Sequence, residues 1–245
     1  MKKTLILLVG SILLTAFIAG CDGASNKAPT ANTNSTANAP AKAKAQDKIP
    51  PNAPPGAQPP EQSGNPSASV ALEEFADFQC GSCAAAHSTM NEIKSMYGSR
   101  IHFVYRNFPL PMHDKGYDAS LAATAAGMQN KFWDMQNMLF TNQKSWMSDP
   151  TYKQVWKGYA QKIGLDVPKW ESDMNGMGAK NRVDADIARG KAIPVSSTPT
   201  LFVNGVAVAF ADMTVTALKT LIDGELQKSS GQNPGNAPAA ANSNK

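Results

Sequence analysis

The segment Phe75–His87 reads FADFQCGSCAAAH, with Cys80 and Cys83 enclosing Gly81 and Ser82. It joins two kinds of pattern. Upstream, Val70 to Phe78 carries apolar residues on both parities of an alternating run, which predicts a strand covered on both faces. Downstream, Cys83, Ala86, Met90, Ile93 and Tyr97 recur at helical spacing and stop at Gly98. A thiol at such a strand-to-helix junction lies beside the unpaired N–H groups of the first helical turn. The macrodipole there amounts to about half a positive charge and favours a thiolate. Cys80 is therefore the candidate nucleophile. Cys83, a turn deeper, is the candidate resolving thiol that attacks any mixed disulfide formed on Cys80. Ser82 can donate one hydrogen bond to this site but brings no positive charge.

A Cys-x-x-Cys can also be half of a metal site. Zinc in four-fold coordination needs two more ligands, and the only histidines are His87, His102 and His113. A copper carrier using Cys80, Cys83 and His87 is a second reading; against it, the eleven methionines form no cluster. His87 reads as a solvent-facing helix residue and His113 as a surface or capping one. Glu73 and Asp77 read as ordinary charges at strand ends. Glu74 falls in the row of Val70, Leu72 and Ala76, and a carboxylate in a mostly apolar row marks a candidate with a raised pKa.

The chain ends constrain compartment and cysteine use. Met1-Lys2-Lys3 and the apolar run from Leu5 to about Ala19 have the layout of a secretory signal, too short for a spanning helix. Ile18-Ala19-Gly20-Cys21 resembles the lipobox of bacterial lipoproteins, which implies a signal peptide over 1–20 and a diacylglycerol on Cys21. Cys80 and Cys83 then remain as the only available pair. Loss of Lys2 and Lys3 takes the net charge from +4 to +2, too small to argue for nucleic acid. Residues 21–66 are rich in Ala, Pro and Asn and lack apolar content, so they read as a disordered linker, and 229–245 as a disordered tail. One domain is expected over 67–228.

Within it, Ile101–Phe108 (IHFVYRNF) predicts a second strand. A helical block follows over about 112–190. TLFV and VAVAF then flank Asn204-Gly205, a hairpin signal, and a last amphipathic helix carries Val215, Leu218 and Ile222. The expected fold class is α/β: a sheet with helices on both faces, interrupted by one inserted helical subdomain.

The segments EFADFQCGSC (Glu74–Cys83), KFWDMQNMLFTNQ (Lys131–Gln143) and STPTLFVNG (Ser197–Gly205) carry a resemblance. Together they make the domain similar to the DsbA-like thiol:disulfide oxidoreductases of the thioredoxin superfamily. The resemblance implies a thioredoxin fold and a redox pair at Cys80 and Cys83, with Gly81 and Ser82 as the active-site turn. It implies a cis Pro199 against the cysteines, a Thr198 main chain that pairs with substrate peptide, and Glu74 as the family's buried acid. No cofactor or metal is expected. The implied partners are exported protein thiols and a membrane redox protein, either a quinone-linked oxidase or an electron-carrier reductase. The implied setting is a lipid-anchored monomer facing the periplasm or cell exterior, with Asp22 favouring the inner membrane. Disulfide donation is the expected direction; reductase or isomerase action of the same fold is the alternative. The Gly-Ser dipeptide departs from the Pro-His of the strongest oxidants and predicts a less oxidising potential.

Overall fold

The computed structural model describes residues 48–231. The described chain runs β1 (Glu61–Gly64), β2 (Ala71–Ala76), α1 (Gly81–Tyr97), β3 (His102–Asn107) and α2 (Gly116–Gly127). It continues α3 (Phe132–Thr141), α4 (Gln143–Met147), α5 (Tyr152–Lys162), α6 (Val167–Asn175) and α7 (Met177–Ala192). It closes with β4 (Thr200–Val203), β5 (Val206–Val208) and α8 (Val215–Ser229). The expected thioredoxin-type α/β order is present, and the inserted helical block is α2 to α7.

The strands form one sheet in the order β1-β3-β2-β4-β5. Strands β2 and β3 are parallel, and the other neighbours are antiparallel. Period-2 alternation sends Leu72, Phe103, Tyr105, Leu201 and Val203 to one face, where they pack with Met90, Ile93 and Tyr97 of α1 and Leu218 and Ile222 of α8. Phe75 and Phe202 point to the other face and pack with Phe108, Ile193 and Val195. Gly190 lets α7 approach closely, since a Cβ there would lie 2.4 Å from the Phe108 ring. Asn204 (φ 48°) and Gly205 (φ 75°) make the β4–β5 turn as their sequence predicts. Asp166 caps α6 by accepting from Lys169 N at 3.0 Å.

One expectation is corrected. Residues 48–66, read as the end of a disordered linker, are built into the domain. Ile49 N donates to Gly205 O at 2.8 Å, and β1 pairs with β3 along Glu61–Gly64. Between these points the chain crosses the sheet over a buried charge cluster. Arg106 donates to Pro55 O and Ala57 O, Arg189 donates to Pro54 O, and Ala57 N donates to Asp186. Glu73 holds both arginines, and Arg106 also pairs with Asp186. Composition misses this because the segment orders largely through main-chain groups that accept from Arg106 and Arg189, with only Ile49, Ala53 and Ala57 packed as apolar side chains. Glu73 is accordingly a half-buried ion-pair member and no strand-end charge. The signal segment, Cys21, the rest of the linker and residues 232–245 lie outside the described residues.

Candidate active site

Cys80 is the last extended residue before α1 (φ −74°, ψ 121°), so the helix begins at Gly81. Its own backbone N–H donates to Asp77 O, and its carbonyl accepts the first α1 hydrogen bond, from Ala84 N. Gly81 and Ser82 are exposed, and nothing lies within 4 Å of a Cβ built on Gly81, so the approach to the turn is open. Cys80 is 8% exposed and Cys83 1%. Both are free thiols.

The two sulfurs are strongly unequal. A hydrogen bond from the Cys83 thiol brings the Cys80 pKa down to about 5, against the opposing effect of burial; Thr198 and the backbone N–H groups of Cys83 and Ser82 add to the lowering. Burial pushes the Cys83 thiol far up, and the adjacent Cys80 sulfur adds to this, although Asp77 N donates to Cys83 Sγ at 3.5 Å. The pair is therefore polarised: one sulfur is a ready nucleophile and leaving group, the other a thiol that holds its proton.

Thr198 and Pro199 meet the pair from 118 residues away. The Cys80 thiol donates to Thr198 O at 3.3 Å, and the Thr198–Pro199 bond is cis. Register explains the encounter: Glu74 faces Leu201 and Phe75 faces Thr200 across β2 and β4, so the strand ends leading to Cys80 and from Pro199 lie side by side. Thr198 Oγ1 is buried without a partner among the described residues and is free to turn towards a thiolate.

Glu74 is buried on the Leu72 and Ala76 face, in register with Tyr105 of β3. Burial raises its pKa to about 7, with Lys94 of α1 pulling the other way. Lys94 lies over the Trp133 ring at 4.1 Å, and burial brings its own pKa down to about 8. The Tyr105 phenol, held well above its usual range by burial, feels both Glu74 and Cys83. The acid and the deeper thiol thus lie within electrostatic reach of one buried ring.

Sequence reading missed several groups around the turn. Asp77, read as a strand-end charge, is fully buried and accepts from Gln79 N, Leu110 N and His113 Nδ1 at 2.8, 2.7 and 2.6 Å. It ties the loop after β3 to the end of β2, whose N–H faces Cys83. His113 is thus a partner of that carboxylate rather than a surface cap. Gln79 donates to Asp114 and accepts from Lys115 N, and Gln143 donates to Phe78 O and Cys80 O. The one available signal was the polar sequence Asp77-x-Gln79 inside an otherwise apolar approach to Cys80.

His87 is corrected too. It is buried and stacked on Phe140 at 5.0 Å, with Nε2 3.0 Å from Asn91 Nδ2 and 3.2 Å from Asn137 Oδ1. Its ring is engaged with these amides and burial lowers its pKa. Among the described residues no group of three or more His, Cys, Asp or Glu side chains is placed to hold a metal.

Comparison with known proteins agrees with this architecture. A family model described as thioredoxin matches residues 58–224. The oxidised BdbD structure from Bacillus subtilis superposes with a TM-score of 0.61 at 22% identity, covering 71% of this chain and 98% of that one. The thiol-disulfide exchange protein α-DsbA2 from Wolbachia pipientis gives 0.57 at 17% identity, covering 67% and 86%. Among curated sequences, a chain named Na(+)/H(+) antiporter NhaA 1 from Mycolicibacterium gilvum is 34% identical over 145 residues, which is 58% of this chain and 23% of that one. A chain named Na(+)/H(+) antiporter NhaA from Herminiimonas arsenicoxydans is 32% identical over 142 residues, again 58% of this chain, and 22% of that one. The match spans less than a quarter of those longer chains. The 58–224 match, joined to a Cys-x-x-Cys turn packed on a cis-proline strand, places this chain in the thioredoxin family, with the fold of the DsbA-like thiol-disulfide oxidoreductases.

Proposed function

We propose that the chain is an extracytoplasmic thiol:disulfide oxidoreductase that exchanges disulfides with exported proteins, chiefly as a disulfide donor. The observation that carries this reading is the inequality of Cys80 and Cys83, one acidic at an open turn and the other buried and basic. In the donor direction a substrate thiolate attacks Cys80 Sγ of the oxidised pair. The Cys80–Cys83 bond breaks, Cys83 leaves and takes a proton, and a substrate–Cys80 disulfide forms. A second substrate thiolate then attacks the substrate sulfur and expels Cys80 as a thiolate. Two electrons have passed from the substrate dithiol to the pair. Reoxidation by a quinone-linked membrane partner completes the cycle.

Thr198 and Pro199 offer the main chain that aligns the substrate peptide over Cys80. Glu74 supplies the proton to departing Cys83 and takes it back in the reverse step, with a pKa near working pH for both. The exposed Ser82 brings no cation to the turn, and this favours a weaker oxidant. It also supports the second reading, a reductase of the same fold fed by an electron carrier. A diacylglycerol on Cys21 would hold the domain at the membrane as a monomer, with the chain between Cys21 and Lys48 as its tether. Among the described residues no helix is long and apolar enough to cross a membrane.

Trapping tests the reading directly. Cys80→Ser should abolish exchange, whereas Cys83→Ser should accumulate mixed disulfides through Cys80, identified by mass spectrometry. Trapping through Cys83 in the Cys80→Ser protein would reverse the assigned roles.

Glu74 gives a pH signature. Attack of Cys83 on a mixed disulfide needs ionised Glu74, so its rate should rise with pH through about 7 and lose that inflection in Glu74→Gln, with a fall of about a hundredfold at pH 8. Stability should move the other way. The folded state holds this proton up to about 7 while the unfolded chain releases it near 4.5. Wild-type stability therefore falls as pH rises across that window, by about 3 kcal/mol in all. Denaturant unfolding should show Glu74→Gln gaining on the wild type between the two values, and parallel curves would refute the buried titration.

The anchor is tested by cell fractionation. Cys21→Ala should release soluble protein, and a cleaved variant that stays with the membrane would exclude the lipid.

A further inference from the structure

One buried amide of the helical insertion binds the main chain on both sides of Cys80. Gln143 opens α4, is 6% exposed, and donates from a single nitrogen, Nε2, to Phe78 O at 2.8 Å and to Cys80 O at 2.9 Å. These carbonyls belong to the Phe78–Gln79 and Cys80–Gly81 peptides, so Gln143 holds the main chain both before and after the nucleophile. The Cys80 carbonyl also accepts from Ala84 N at 3.1 Å, and Gln143 therefore shares the first carbonyl of α1 with the helix itself. The segment that presents Gln143 is firmly seated. Phe140 stacks on Phe78 at 4.8 Å, and Trp146 is fully buried, donates to Leu139 O at 2.8 Å and packs edge-on against Trp156.

We propose that Gln143 is a positioning residue that sets the reactivity of Cys80, by holding the Cys80 main chain in register with the start of α1 while its sulfur changes bonding partner.

The physical reason lies in what must stay still during exchange. Cys80 Sγ alternates between bonds to Cys83 and to a substrate sulfur, and its thiolate is stabilised first by the Cys83 thiol and further by the N–H groups of Cys83 and Ser82. Those donors belong to the helix, whereas Cys80 is non-helical and has no side-chain cap bond. Without Gln143 the Cys80 carbonyl keeps only the Ala84 N–H, so the turn can relax and lengthen the N–H to sulfur contacts, and Phe78 O loses this donor. The donor must be an amide. A carboxylate in its place would face two carbonyl oxygens with no hydrogen to offer.

The inference rests on the exchange reading of the pair, and the test separates the two. The readout is the thiolate absorbance of reduced full-length protein against pH, followed in Gln143→Glu, Gln143→Met and Gln143→Asn. The last keeps the amide but shortens its reach by about 1.5 Å. Gln136→Met serves as control, because Gln136 is a buried amide of α3 whose Oε1 has no hydrogen-bond partner among the described residues. Each Gln143 variant should raise the Cys80 pKa by at least about one unit, a tenfold loss of thiolate below it. Gln143→Glu should recover part of the loss on acidification, when its carboxyl can donate. Gln136→Met should leave the pKa in place. If Gln143→Met does not fold, Gln143→Asn decides by the same reading. Unchanged acidity in the folded variants, or an equal rise in Gln136→Met, overturns the role of Gln143. An ordinary thiol pKa in the wild type would instead overturn the exchange reading.

Discussion

The antiparallel pairing of β2 with β4 is the constraint on which the site depends. It joins segments more than a hundred residues apart and brings Cys80 within 3.3 Å of the Thr198 carbonyl. Neither strand could hold that position alone. Strand β2 is fixed on its other side by parallel pairing with β3, and the sheet faces are covered by α1 and α8 on one side and by α7 with the N-terminal arm on the other. The large hydrophobic burial in these layers supplies the rigidity; the turn contributes few contacts of its own.

Around that fixed point the charges are arranged by depth. Cys80 lies where helix N–H groups and a neighbouring thiol can reach it, so its ionised form is favoured. Cys83 and Glu74 lie deeper, where desolvation keeps protons bound. A donor needs this gradient, because the sulfur that departs from the substrate should leave as a thiolate and the inner sulfur should leave with a proton. Asp77, equally buried, accepts from three donors and serves as a brace between the loop after β3 and the peptide N–H that faces Cys83.

Four of the five strands, their order around the insertion and the meeting of Cys80 with Thr198 were legible from periodicity, turn chemistry and a family resemblance, whereas β1 lay in the expected linker. What escaped was whatever depended on long-range polar pairing. Glu73, Asp77 and His113 look like surface residues locally; they become half-buried, or for Asp77 fully buried, only through partners elsewhere in the chain, such as Arg106, Arg189 and Leu110 N. The arm 48–60 was invisible for the same reason, since a proline-rich segment with few apolar side chains, Ile49 and Ala53 among them, is held mainly by carbonyls that every residue has. His87 failed differently. Helical spacing put it beside Cys83, but its burial comes from Phe140 and Asn137 of α3, whose docking one helix cannot reveal.

The claim that the pair is built to give up its disulfide is tested most directly by equilibrating the domain with glutathione and reading the potential of the Cys80–Cys83 couple. An acidic Cys80 without a cation beside it predicts a value between the roughly −120 mV of the strongest oxidant of this fold and the roughly −270 mV of thioredoxin. A potential at or below that of thioredoxin would contradict the donor account and make the same pair a reductant.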